Sequence, residues 1–266
     1  MGNPTIGITG LIVCSTVGSD LRHLLGGLAG GGGSPYSATI SVARPEFDTT
    51  RFAASLEAMS YTAGINDWTG TVNMRFPNPI AKTGQCGFIT YANGYVQDVT
   101  DYSVTITAAE HKITGQSPTC LIWDKYRPGL VSYSGSYNAH IDDTDEIPFP
   151  LPEGGAIFRL SDEVADNTLA GNILSINSAA SVVVTDKNTS SHTFRGNGAL
   201  TAAGTTPLFP AGVIGTPDIA SIVLTADTGR TYAGNCFWTS VTINVPHDGL
   251  IDVSVNLRGD GPLVSA

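Results

Sequence analysis

Charge is scarce in this chain: Asp, Glu, Lys and Arg make up 14% of its 266 residues, against about 25% in an ordinary globular protein. Gly, Pro, Ser and Thr stand in their place. A chain this poor in charge either works outside a cell or covers much of its surface with partners. Cations are scarcest. Thirteen Lys and Arg against 23 Asp and Glu leave a net charge of −10, which excludes the clustered cations that tight binding to a phosphate backbone requires. Cysteine is also sparse. Cys14, Cys86, Cys120 and Cys236 show neither CxxC nor metal-ligand spacing, and they read as small buried hydrophobes in a reducing compartment. No apolar run approaches the 18 residues of a membrane helix. The opening MGNPTIGITG lacks the basic and apolar regions of a secretory leader, so folding in a cytoplasm is expected.

Chemistry is missing from the motifs as well. His23, His111, His140, His192 and His247 stand apart from one another, and none shares zinc spacing with a second ligand. There is no nucleophile elbow, HExxH, P-loop or dinucleotide fingerprint. The acidic run Asp142, Asp143, Asp145, Glu146 lacks EF-hand spacing and reads as a solvated loop. The phrases RGNG at 195–198 and RGDG at 258–261 read as tight turns whose glycines take positive φ. Trp68, Trp123, Tyr133 and Trp238 are expected in a core, although aromatics of this kind can also stack on sugars. No catalytic, cofactor-binding or metal-binding residue can be nominated, and an enzyme is not expected.

What the chain does have is β-pattern. Strands are expected over 5–13, 36–42, 68–76, 87–91, 95–107, 120–123, 131–140, 157–160, 173–176 and 182–185, then in a meander over 219–224, 232–245 and 250–257. Asn93-Gly94 is a strong hairpin signal between two of them. Residues 20–25 allow a helical turn. The best helix candidate is 51–59, with Phe52, Leu56 and Met59 at helical spacing. Residues 26–33 are glycine-rich and read as a flexible connector. Residues 187–217 lose periodicity and read as a long loop. The phrase GINDWTGTVNM at 64–74 returns as GLVSYSGSYNA at 129–139, which puts Trp68 and Tyr133 at equivalent places in two related β-layers.

Three stretches carry a family resemblance. DTTRF at 48–52 followed by GINDWTGT at 64–71, then YAGNCFWTSV at 232–241, then VSVNLRGDGPL at 253–263, resemble the opening, penultimate strand and closing strand of the major tail tube proteins of long-tailed bacteriophages. The resemblance spans 36–107 and 218–263, through short, degenerate motifs. It implies an all-β sandwich or barrel-like tail-tube fold with one short helix near 51–59 and long loops. It divides the chain into an N-terminal arm and connector (1–35), a tube sandwich (36–143 and 218–266), and an inserted lobe or long loop (144–217). It implies a non-enzymatic virion protein assembled in the host cytoplasm. Its subunits would form stacked rings joined by arms, and DNA would leave through the lumen without specific binding. Tape-measure, terminator and tail-tip proteins would be its other partners. Rings would be hexameric, or trimeric if the chain is duplicated. An acidic lumen would repel the passing phosphates. A head decoration or tail-tip protein, or a carbohydrate-binding sandwich, are the other readings of the same composition.

Overall fold

Ser or Thr alternating with Val, Ile or an aromatic gives a strand one wet and one dry face, and that alternation builds nearly everything here. The computed structural model describes residues 5–6, 12–14, 20–25, 34–48, 61–75, 87–91, 96–113, 123–141, 156–161, 168–181, 188–203, 212–225, 230–246 and 252–265. In chain order the elements are β1 (Thr5–Ile6), β2 (Ile12–Cys14), α1 (Asp20–Leu24), β3 (Ser34–Ala43), β4 (Glu46–Asp48), β5 (Tyr61–Ala63), β6 (Asp67–Arg75), β7 (Gly87–Tyr91) and β8 (Val96–Lys112). They continue with β9 (Tyr126–Ile141), β10 (Ala156–Ser161), β11 (Thr168–Ser181), β12 (Asn188–Ala203), β13 (Gly212–Val213), β14 (Ala220–Thr225), β15 (Thr231–Val245) and β16 (Asp252–Ser265). The fold is all-β. Fourteen strands share one sheet, and β4 and β5 pair apart from it.

The expected helical turn at 20–25 is α1, with Leu21, Leu24 and Leu25 in the core. The proposed helix at 51–59, the glycine-rich 26–33, the acidic run at 142–146 and the strand at 182–185 lie outside the described residues. The loop expected over 187–217 is corrected: 188–203 form the long strand β12. Its core-facing positions set Ser190 and His192 beside Phe194, Leu200 and Ala202, so the apolar alternation is broken at its start. The segment 144–217 supplies β10, β11 and β12, and these pair with β7 and β9 in the common sheet.

Antiparallel pairing runs continuously through β3, β6, β16, β15, β8, β9, β12 and β11. The second half of this run also closes on itself. β11 pairs with β10, β10 with β7, and β7 with the start of β8. β7 to β12 thus make a barrel, which covers their edges except that of β11 beyond Ile173.

The order β3-β6-β16-β15 repeats as β8-β9-β12-β11, and the repeat extends to register. Gly234 faces Leu263 and Cys236 faces Gly259, with a bulge between. Gly171 faces Leu200 and Ile173 faces Gly196, again with a bulge between. A second irregularity follows at Trp238/Ser240 in one unit and at Ser175/Asn177 in the other. The hairpin partners match too, Ala220 opposite Cys236 and Ala156 opposite Ile173. The sequences agree once aligned this way: TYAGNCF at 231–237 with TLAGNIL at 168–174, and LRGDGPL at 257–263 with FRGNGAL at 194–200. The chain therefore carries the same six-strand arrangement twice. One unit is β2, β3, β6, β14, β15 and β16. The other, inserted within it, is β7 to β12.

Each unit is closed by the same device. Trp68 lies over Gly259 and Gly234, and a Cβ on Gly259 would fall 2.2 Å from Trp68 Nε1. Tyr133 lies over Gly196 and Gly171, and a Cβ on Gly196 would fall 2.4 Å from the Tyr133 ring. Trp68 Nε1 donates to Gly261 O at 3.1 Å, and Tyr133 Oη donates to Asn172 O. Both rings are buried. Gly261 and Gly198, at φ 91° and 98°, have the positive φ expected of them. They lie inside β16 and β12, however, and so the tight-turn reading of both RGxG phrases is corrected.

Candidate functional site

The side of the sheet opposite the core is a wall of hydroxyls and amides. One cross-strand row reads Ser37, Asn73, Ser254, Thr242, Thr105, Ser134 and Arg195. The next reads Arg75, Asp252, Asn244, Ser103, Ser136, Thr193 and Asn177. The face exists because residues two apart on every strand share a side, while Val72, Val104, Tyr137, Val241 and Val255 occupy the other.

These groups satisfy one another. Thr71 donates to Asn256 Oδ1 at 2.9 Å, and Asn256 Nδ2 donates to Ser240 at 2.7 Å. Asn73 Nδ2 donates to Ser37 at 2.8 Å, and Ser103 donates to Asn244 Oδ1 at 2.6 Å. Thr105 and Thr242 share a hydroxyl contact at 3.1 Å, and Asn138 Nδ2 donates to Asp101 at 2.6 Å. Arg75 is held by Asp252 at 3.2 Å. Those two rows contain no lysine, and Arg195 is their one cation with no ion pair among the described residues. On the β3, β6, β16, β15 and β8 part of the face, donors bound to neighbouring acceptors have little to offer a phosphate or a sugar.

At the upper end of this face the two units diverge. Arg258 reaches Asp67 at 2.9 Å and Glu110 at 3.3 Å, and its guanidinium lies 3.8 Å over the Tyr126 ring. Burial raises the Tyr126 phenol above its ordinary value of 10.0. Beside it Lys112 donates to Asp124 at 2.7 Å, a bond that raises the Lys112 ammonium above 10.5. Arg195 is the equivalent of Arg258 and is exposed.

Among the aromatics, Trp68, Tyr133 and Trp238 are buried and Trp123 is half-buried; the first three present no ring to a sugar. His192 is buried in the inserted unit, stacked on Tyr137 with centroids 4.6 Å apart and bonded through Nδ1 to Ser178 at 2.6 Å. Burial lowers its pKa below 6.5, so the imidazole is neutral. His111 is exposed, and His140, opposite Thr189, is half-buried. No group of three or more metal-ligating side chains occurs among the described residues, and no described helix is long and apolar enough to cross a membrane.

The sheet has two ends, and each matches a strand edge that is joined in the middle. β15 pairs with β8 from Ser240↔Thr107 to Val245↔Tyr102. The equivalent of β8 is β3, whose outer edge carries, among the described strands, only the short β1. The equivalent of β15 is β11, which pairs with β10 only through Ile173. Its outer edge over 174–181 pairs with no described strand. Side chains that the central junction buries are open at the ends: Phe237 and Ile106 are 0% exposed, but their equivalents Leu174 and Val42 are 44% and 51% exposed. Sequence reading missed this pair of ends, although the TxAGN and RGxG repeats that lead to it are visible in the chain. Neither a scan of protein-family models nor a search of curated proteins finds a match to this chain.

Proposed function

We propose that this chain is a structural virion protein, a tail tube subunit that assembles head to tail into rings and stacks into the tube through which DNA leaves. One observation carries the reading. The chain already contains one joint between two copies of its own unit, and its two ends are the unjoined counterparts of that joint. A heterologous contact of this kind closes into a ring when its rotation permits. Each chain supplies two units, so three chains build what six single-unit chains would.

The polar wall then faces the lumen. Its hydroxyl and amide lining suits passage of DNA, because counterion-releasing contacts need lysines and arginines that these rows nearly lack. This differs from an acidic lining. Asp67, Asp101, Glu110 and Asp252 lie on the wet faces of those strands; Arg258 neutralises Asp67 and Glu110, and Arg75 neutralises Asp252. Slipperiness would come from self-satisfied neutral groups more than from repulsion.

Electron microscopy of the purified protein tests the proposal. Hollow tubes or stacked rings with three chains per ring are expected. Compact particles that never extend would instead favour a head decoration role, and a glycan-binding monomer would refute assembly as the function.

A further inference from the structure

We propose that β1 is a built-in plug, a short strand seated on the edge of β3 where the next chain's β11 docks, so that ring growth begins by displacing it. The inference rests on the head-to-tail reading above and adds its register and its control.

Transferring the central joint onto the ends fixes the docking register. Ser240↔Thr107, Val241↔Ile106, Thr242↔Thr105, Ile243↔Val104 and Asn244↔Ser103 become Asn177, Ser178, Ala179, Ala180 and Ser181 of one chain opposite Ala43, Val42, Ser41, Ile40 and Thr39 of the next. The equivalences follow from the pairing of β3 with β6 and of β8 with β9, in which Ile40 faces Gly70 and Val104 faces Gly135. The occupant is a second copy of this chain because the template for the contact is the chain's own internal joint.

β1 takes part of that same edge, in the same sense. Thr5 faces Thr39 and Ile6 faces Ala38, antiparallel. In the central joint the matching positions, Ser103 and Tyr102, face Asn244 and Val245. In the transferred register Thr5 thus takes the place of Ser181 opposite Thr39, and Ile6 covers the next position of the edge, Ala38. They leave Ile40 to Ala43 without an outer partner among the described strands, and Val42 stays exposed. Two register pairs protect the edge of the free chain from indiscriminate strand addition. The longer ladder of a docking β11 replaces them, starting from the open positions at Val42 and Ser41.

Engineered cysteine pairs test the register and the plug separately. Ser41→Cys with Ala179→Cys places thiols opposite one another only across the proposed interface. Mild oxidation should give a ladder ending at a covalent trimer on a non-reducing gel. Ser41→Cys with Ser181→Cys, two residues out of register and roughly 7–8 Å apart, is beyond disulfide reach and should stay monomeric. Thr5→Cys with Thr39→Cys, or Ile6→Cys with Ala38→Cys, locks β1 in place. The oxidised protein should remain monomeric by mass photometry, and reduction should restore assembly to at least ten times the locked rate. Tubes that form equally from oxidised and reduced lock variants would overturn the plug while leaving the tube intact. Tubes without the in-register cross-link would overturn the register. Failure of the parent chain to form any multimer would instead sink the head-to-tail reading itself.

Discussion

Replacing Gly259 by alanine is the sharpest probe of how each unit is closed. The added Cβ would sit 2.2, 2.3 and 2.5 Å from Nε1, Cε2 and Cδ1 of Trp68, where carbon contacts normally rest at about 3.5–4.0 Å. The ring must retreat by more than about 1 Å, but it is 2% exposed and already close to Gly234. Overpacking of this kind costs about 1–3 kcal/mol. Moving the ring also strains its hydrogen bond to Gly261 O, worth about 0.5–1.5 kcal/mol. A loss of about 2–4 kcal/mol is expected, seen in urea unfolding and as a fall in Tm of roughly 5–15 °C for a chain of this size. Trp68→Leu removes the colliding ring. The two substitutions should therefore be non-additive, with a coupling of about 1–3 kcal/mol in a double-mutant cycle. Gly259→Ala within about 0.5 kcal/mol of the parent, or strict additivity with Trp68→Leu, would refute the reasoning.

Further tests follow from the same structure. Gly196→Ala, which collides with Tyr133 at 2.4 Å, should cost a similar 1–3 kcal/mol and should couple to Tyr133→Leu in unfolding assays. Arg258→Ala breaks two ion pairs and a cation–π contact and should lose about 1–3 kcal/mol, whereas Arg195→Ala should stay within about 0.5 kcal/mol; chemical denaturation of both variants decides. Lys112→Met leaves the buried Asp124 carboxylate without its cation and should cost about 1–3 kcal/mol at pH 7, read from the urea midpoint. His192 stays neutral in the folded chain and charges near 6.5 when unfolded. Its contribution is full above pH 6.5 and is lost as pH falls below that value, at up to about 1.4 kcal/mol per pH unit. Exchanging His192 and Ser178 for valine, the residues that the other unit carries at Val255 and Val241, should flatten the pH dependence of Tm between pH 6.5 and 5.

The sequence alone determined the class of the fold and the fate of most strands. Strict alternation with Gly and Asn punctuation allows little else, as in Asp67–Arg75, Val96–Lys112 and Thr231–Val245. It also announced the Trp68/Tyr133 repeat, because a residue that must lie across glycines of two neighbouring strands constrains its whole phrase. Local pattern could not reveal β12, whose dry face is built from Ser190, His192 and Phe194. Nor could it show that Gly259 and Gly196 are flat seats for aromatic rings, since their reason to be glycine lies in a partner far along the chain. Only the tertiary structure decided that one unit is inserted within the other, that β15 and β8 join them, and that β3 and β11 remain as matching ends. Pairing partners are chosen by burial across the whole sheet, and short-range pattern along the chain does not encode that choice.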